Sequence, residues 1–87
     1  MTSGLTLERV QAIVTLVAGP DRSPPDAGPD TRLSDGGFWL DSVAVLEAII
    51  ACEAEFGVVF EPETDFTEQS LSTVRTLFSL IQAKRAR

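Results

Sequence analysis

The chain contains no histidine and only one cysteine, and each of these scarcities excludes certain kinds of site. Without histidine there is no Ser-His-Asp or Cys-His catalysis, and most zinc sites are excluded as well. The lone Cys52 excludes an internal disulfide and fits a reducing compartment. No signal peptide is visible, and the apolar runs are far shorter than the roughly 20 residues that span a bilayer. We therefore expect a cytoplasmic protein without membrane attachment.

Positive charge is also scarce. Thirteen acidic residues face seven basic ones among 87 residues, which gives a formal net charge of −6. Lys84, Arg85 and Arg87 account for three of the basic residues, and we expect them to form a solvated helix end. An acidic surface repels nucleic acids and anionic membranes and favours basic protein partners. A chain of this length forms one small domain, so no deep enzymatic cleft is expected.

Apolar residues recur at helical spacing in three stretches that turn residues separate. Thr6 is the expected N-cap of the first helix, Gly19-Pro20 its stop, and Gly57 the C-cap of the second helix. Four of the five prolines fall between positions 20 and 37, which predicts a long loop with Leu33 as its hydrophobic anchor. The segment VVFEP (58–62) has no partner strand, so we interpret it as a buried loop.

The expected fold is all-α: a four-helix bundle with three main helices, one short helix and a long first loop, in a single domain. The predicted elements are a first helix at 5–18, a loop at 19–40, a second helix at 41–56, a short helix at 66–71 and a last helix at 72–84. Cys52 is expected to be a small core residue. The other predicted core residues are Val10, Ile13, Val14, Val17, Leu46, Ile49, Phe56, Val74, Leu77, Phe78 and Ile81.

Two kinds of site are excluded by spacing. The loop DTRLSDGG is rich in oxygen ligands, but a calcium loop that begins at Asp30 would place Arg32 at its third position and Asp41 at its twelfth. No metal site is therefore expected. Ser42 lacks both a neighbouring base and the G-x-S-x-G elbow of a hydrolase, so no catalytic residue is assigned.

The pair Asp41-Ser42, at the start of the second helix, allows two interpretations. Either residue can simply cap the helix. Alternatively, Ser42 carries a phosphate-type group, which is stabilised at an exposed helix N-terminus by roughly 0.3–1 kcal/mol. Asp-Ser pairs are common, so these two residues alone do not decide between the interpretations.

The surrounding sequence resembles the acyl carrier protein and peptidyl carrier protein superfamily. Its members have D-S-[LV] at the start of the second helix of a four-helix bundle, and DSVAVLEAIIACEAEFG (41–57) follows that pattern without a gap. DFTEQSLSTVRTLFSLI resembles the third and fourth helices of the family, and LTLERVQAIV the first. The resemblance covers nearly the whole chain.

The resemblance implies that Ser42 receives 4′-phosphopantetheine from coenzyme A, with Asp41 in a supporting role near the magnesium of the transferase. The partners would be a phosphopantetheinyl transferase, an acyl- or aminoacyl-loading enzyme and downstream biosynthetic enzymes. The protein itself would be a monomeric carrier and not an enzyme. It would hold its cargo as a thioester on the arm.

Two departures from the family pattern point to a stand-alone carrier in a specialised polyketide or peptide pathway. Trp39 replaces the usual glycine before Asp-Ser, which leaves the loop conformation there open. Ala44 and Ala54 stand where fatty-acid carriers often have carboxylates. The Glu-rich end of the second helix favours acyl cargo, whereas the spacing of Phe66, Ser70 and Leu71 also occurs in aminoacyl carriers. The alternative from another class is an unmodified acidic helical adaptor.

A partner-binding surface is predicted on the second helix, beginning beside Ser42. The helical wheel places several residues away from the face that meets the bundle, in a strip with an apolar centre and a key charge at Glu47. We refer to Val43, Glu47, Ile50 and Ala54 as the α2 strip, where α2 denotes the second helix. Glu53 lies at the edge of this strip, and Trp39 lies beside it.

Overall fold

The computed structural model describes residues 4–19, 21, 23–34, 36–67 and 69–85. These residues form four helices and no strand, so the predicted all-α class is confirmed. An isolated antiparallel bridge joins Arg32 to Thr73. The helices are α1 (Leu7–Ala18), α2 (Ser42–Phe56), α3 (Pro62–Asp65) and α4 (Val74–Arg85).

Helix α1 is bounded by side-chain and glycine caps. The Thr6 hydroxyl accepts a hydrogen bond from the Arg9 N–H at 3.1 Å, which satisfies one of the unpaired donors of the first turn. The helix ends at Ala18, where Gly19 (φ 83°) donates to the Thr15 carbonyl. The predicted N-cap and the glycine stop therefore agree with the structure, and Pro20 lies outside the described residues.

Helix α4 begins at Val74, two residues later than predicted, because Thr73 is its cap. Thr73 and Thr76 form a reciprocal pair, in which each backbone N–H donates to the hydroxyl of the other. Two further donors of the first turn reach the long loop: the Val74 N–H bonds the Thr31 carbonyl at 3.3 Å, and the Arg75 N–H bonds the Pro29 carbonyl at 2.7 Å. The first loop is thus attached to the start of α4.

The short helix lies elsewhere than predicted. It occupies Pro62–Asp65, whereas none of the described residues between 66 and 71 is helical and residues 69–71 form a turn, so the prediction of a helix at 66–71 was wrong. The Asp65 carboxylate accepts from the Glu61 N–H at 2.6 Å and thereby closes the single turn of α3. Thr67 accepts from the Ser70 N–H at 3.0 Å, which stabilises a local turn that does not continue as a helix.

Most of the predicted core is confirmed, with one error on α2. Leu46 is 46% exposed, while Val17 and Phe78 are partly buried against the core. Leu33 is buried as predicted, and Val58 and Phe60 of the VVFEP loop are buried while Val59 is exposed. Core residues that the periodicity did not identify are Phe38, Leu40, Ala44, Ala48, Val58 and Phe60.

A buried ion pair attaches the end of α4 to α3. The Lys84 ammonium lies 2.5 Å from an Asp65 carboxylate oxygen, and the two side chains are 9% and 10% exposed. The same ammonium lies 5.5 Å from the centre of the Phe60 ring. Lys84 is therefore not part of a solvated helix end, as the sequence had suggested. No helix among the described residues is long and apolar enough to cross a membrane.

Two adjacent isoleucines on α2 provide a matched test of this packing. Ile49 is 3% exposed and Ile50 is 54% exposed. We expect Ile49→Ala to lower the free energy of unfolding by about 2–5 kcal/mol, because it leaves a cavity in the core. We expect Ile50→Ala to lower it by less than about 1 kcal/mol. Urea denaturation followed by circular dichroism measures both, and equal losses would contradict the helix orientation described here.

Candidate functional site

The start of α2 is held in place by the end of the first loop, which folds back on itself. The Leu33 N–H donates to the Ser72 carbonyl at 3.0 Å, and the Leu33 carbonyl accepts from the Leu40 N–H at 2.9 Å. The Phe38 N–H donates to the Arg32 carbonyl at 2.9 Å. These bonds connect the beginning of α4, the loop and the residue that precedes Asp41. The position of the Asp-Ser pair is therefore determined by backbone pairing.

Gly37 allows this close pairing. A Cβ atom at this position would lie 2.0 Å from the Arg32 carbonyl oxygen and 2.7 Å from its backbone nitrogen. Any side chain here would force the two loop segments apart. The flanking Phe38 and Leu40 are buried, and they anchor the segment in the core.

Trp39 lies between these two anchors and faces the solvent. Its ring is 60% exposed, and its φ of 57° is in the left-handed region that favours glycine. Such a conformation costs a bulky residue on the order of 1–2 kcal/mol. The Trp39 N–H donates to the Ser34 carbonyl at 3.0 Å and helps to hold it. Trp39 thus adopts a glycine-type backbone conformation at the position where the carrier pattern has glycine.

The structure separates the roles of Asp41 and Ser42 at the helix start. Asp41 is the N-cap, and its carboxylate accepts from the Ala44 N–H at 2.8 Å. Ser42 is the first residue of α2 and is exposed. Within the described part of the chain, the Ser42 hydroxyl forms no hydrogen bond. The hydroxyl is therefore accessible for a reaction and is not needed to cap the helix.

An open groove of about 740 Å³ runs from Ser42 between α2 and the segment 66–72. Its polar lining includes Ser42, Asp41, Arg32 and Ser34. A groove of this volume is in the range that small-molecule ligands occupy. Its apolar lining consists of Leu40, Val45, Leu46, Phe66 and Leu71.

A second, smaller groove of about 360 Å³ lies on the other side of the helix start. It is lined by three carboxylate residues, Asp21, Asp41 and Glu47, together with apolar groups that include Val43 and Val17. No cluster of three or more carboxylate or cysteine side chains is arranged to hold a metal ion in the part of the chain that is described. The acidic groove therefore offers negative charge to a partner.

The α2 strip is exposed along its whole length. All four of its residues face the solvent: Val43, Glu47, Ile50 and Ala54. Trp39, which precedes the helix, is exposed as well. Glu53 differs from them, because it is half-buried and its carboxylate accepts from the Phe60 N–H at 2.8 Å. Glu53 thus has a structural role that the sequence did not reveal, and its contact with a partner stays a prediction.

Cys52 lies in the core and is chemically protected. The residue is fully buried. Burial, and to a smaller extent the charge of Glu55, raises the pKa of the Cys52 thiol to about 12. The thiol is therefore protonated at neutral pH and inaccessible to reagents, as expected for a core residue.

Comparisons with protein-family models, with curated proteins and with solved structures find no match for this chain. Any function therefore has to be inferred from the residues and geometry around Ser42.

The division of roles between Asp41 and Ser42 is directly testable. We expect Asp41→Ala to lower the free energy of unfolding by about 1 kcal/mol, because it removes an N-cap. For a domain of this size, that loss lowers the Tm by roughly 4–8 °C. Ser42→Ala should change the free energy of unfolding by no more than about 0.5 kcal/mol. Calorimetry of both variants measures the effect, and a larger loss for Ser42→Ala would mean that the serine is the cap.

Proposed function

We propose that this protein is a carrier protein that holds its cargo as a thioester on a 4′-phosphopantetheine arm attached to Ser42. The observation that carries the proposal is the exposed Ser42 hydroxyl, which Asp41 releases from capping, within a sequence that resembles the attachment site of carrier proteins. When bound, the arm supplies the thiol that forms the thioester. The protein has no catalytic residue of its own in this proposal.

The residues around Ser42 fit such an arm. In the attachment step, Ser42 Oγ forms a bond to phosphorus, the pyrophosphate P–O bond of coenzyme A breaks, and the nucleotide part leaves. The hydroxyl proton passes to a base of a separate phosphopantetheinyl transferase. Asp41 directly precedes Ser42 and fixes the helix start, because its carboxylate accepts from the Ala44 N–H. The groove next to Ser42 has a volume of about 740 Å³ and a lining that is partly apolar, so it leaves room for the arm.

Both kinds of cargo are compatible with this site, and we keep acyl cargo in specialised polyketide or related biosynthesis as the first proposal. The Glu-rich end of α2 no longer favours acyl cargo over aminoacyl cargo, because both glutamates have structural partners. Glu53 accepts a hydrogen bond from the Phe60 N–H, and Glu55 forms an ion pair with Arg9. Aminoacyl cargo in a nonribosomal peptide pathway is the second proposal. Phe66 and Leu71, whose spacing also occurs in aminoacyl carriers, line the groove beside Ser42.

Attachment to Ser42 is tested by mass and by counting thiols. Co-expression with a broad-specificity phosphopantetheinyl transferase should add the mass of one phosphopantetheine group to the parent and none to Ser42→Ala. Because the one cysteine is buried, native protein should expose no reactive thiol before modification and a single one after it. Cys52→Ala should keep the new thiol.

The absence of any mass gain in the parent would contradict the carrier function and favour the unmodified adaptor. A mass gain that persists in Ser42→Ala would place the attachment elsewhere.

The α2 strip is the proposed surface for the transferase and the loading enzyme. Its exposed apolar residues and Glu47 lie on the helix that begins at Ser42, and Glu47 also lines the acidic groove. A basic partner surface that approaches Ser42 would meet both features. Electrostatic complementarity of this kind mainly raises the rate of association.

Glu47→Lys should slow arm attachment several-fold at low salt, and the difference should shrink as salt screens charges over ~8–10 Å. Ile50→Ala should slow it without this salt dependence. Glu8→Lys and Val59→Ala are matched controls, because both residues are exposed and lie away from the serine, Glu8 in the first turn of α1 and Val59 in the loop that follows α2. Attachment rates from timed mass spectra measure the effect. Equal rates in test and control variants would leave the strip without a docking role.

A further inference from the structure

Arg32 differs from the other basic residues that the structure describes, because it has no partner among the described side chains and no helix end to stabilise. Among the described residues, three of the basic side chains form ion pairs with carboxylates. Arg85 lies in the last turn of α4, where a cation is favourable. Arg32 has neither an ion pair within the described part of the chain nor a helix end to stabilise. The paired cations are Arg9 with Glu55, Arg75 with Asp30, and Lys84 with Asp65.

The backbone of Arg32 is nevertheless tightly fixed. It forms the isolated bridge with Thr73, and its carbonyl accepts from the Phe38 N–H at 2.9 Å. Gly37 packs directly against it. The exposed side chain therefore starts from a rigid point, so holding it in one place costs less entropy than it would on a mobile loop. A fixed arginine in solvent is suited to bind an anion that arrives from outside.

The rigid point lies at the groove that contains Ser42. Among the described residues that line this groove, Arg32 is the only basic one and Asp41 is the only acidic one. Arg32 forms no ion pair with Asp41, and its exposed side chain can be reached by an anion that arrives from outside. A phosphate ester on Ser42 would be placed beside the Asp41 carboxylate in a protein whose net charge is −6, and that environment repels it. A cation at the same groove offsets the repulsion.

We propose that Arg32 is the positioning residue that binds the phosphodiester of the group attached to Ser42. The inference rests on the proposed carrier function and names the interaction that holds the base of the arm. Arginine is suited to this role, because its planar guanidinium donates two parallel hydrogen bonds to phosphate oxygens. Lysine offers a point charge without that geometry.

Phosphorus NMR of the modified protein tests the contact directly. Arg32→Gln should shift the phosphodiester resonance from its position in the parent, and it should remove most of the salt dependence of that position. Arg32→Lys should restore part of the salt dependence but not the full shift. Arg85→Gln is the matched control, since it removes another exposed charge that does not line the groove, and it should leave the resonance unchanged.

The rate of arm attachment distinguishes two possible contacts of Arg32. One is with the phosphodiester after attachment, and the other is with the phosphates of free coenzyme A before it. An effect on the resonance without an effect on the rate supports a contact that forms only after attachment. If the contact already forms during attachment, the rate in Arg32→Gln should fall by about two- to fivefold at low salt, as expected for an exposed charge pair. A fall in the rate without any change in the resonance would assign Arg32 to substrate capture and overturn the proposal.

The failure of this inference is distinguishable from failure of the carrier function. If the parent gains the mass of the arm but Arg32→Gln and Arg85→Gln give the same resonance and the same rate, the Arg32 proposal is wrong and the carrier function stands. If the parent gains no mass, both are wrong. Tm values of Arg32→Gln and Arg32→Lys equal to that of the parent would exclude a general loss of structure, and we expect them because the described contacts that hold the loop at Arg32 use its backbone groups.

Discussion

The attachment of residues 29–33 to the first turn of α4 is the constraint on which the rest of the structure depends. A helix start leaves backbone N–H groups without partners, and here the carbonyls of Pro29 and Thr31 satisfy two of them. Leu33 then donates to Ser72 and accepts from Leu40, with its side chain in the core. A long, proline-rich loop thus becomes a fixed connection between α1 and α2. Without it, nothing in the backbone would set where α2 begins.

The chemistry of the candidate site follows from that connection. Once Leu40 is fixed, Asp41 reaches the cap position and Ser42 becomes the first residue of the helix. Burial of Phe38 and Leu40 leaves Trp39 outside, in a conformation that a bulky residue adopts at a cost in free energy. An exposed hydroxyl, an exposed ring and two grooves of different character are thereby collected at one end of the molecule. The larger groove has a mixed polar and apolar lining, whereas the smaller one contains three carboxylates.

Helical periodicity predicted the three main helices and most of the core, because each helix must bury an apolar face. It failed for Leu46, since α2 is apolar on nearly all sides and the buried positions cannot be distinguished by hydrophobicity alone. The buried face is instead marked by small residues, with Ala44, Ala48 and Cys52 in the core. Close packing between helices favours small side chains, and a pattern of hydrophobicity does not distinguish side chains by their size.

Other features depended on contacts between distant residues and were out of reach of any local pattern. The burial of Lys84 requires Asp65, which lies on a different helix. The short helix is a local exception, because Asp65 closes its turn on the N–H of Glu61, four residues earlier. For the candidate site, the Asp-Ser pair was identified from sequence alone. Its open question, which residue is the cap, was decided by the hydrogen bond from Ala44.

The exposed Trp39 also determines what optical methods can report about this protein. It is the only tryptophan, and the chain has no tyrosine, so nearly all aromatic emission comes from this one ring. Because the ring is already largely in water in the folded state, unfolding changes its surroundings little. Its emission is accordingly a poor measure of global folding. It is a local sensor of whatever approaches the beginning of α2, with no label to be added.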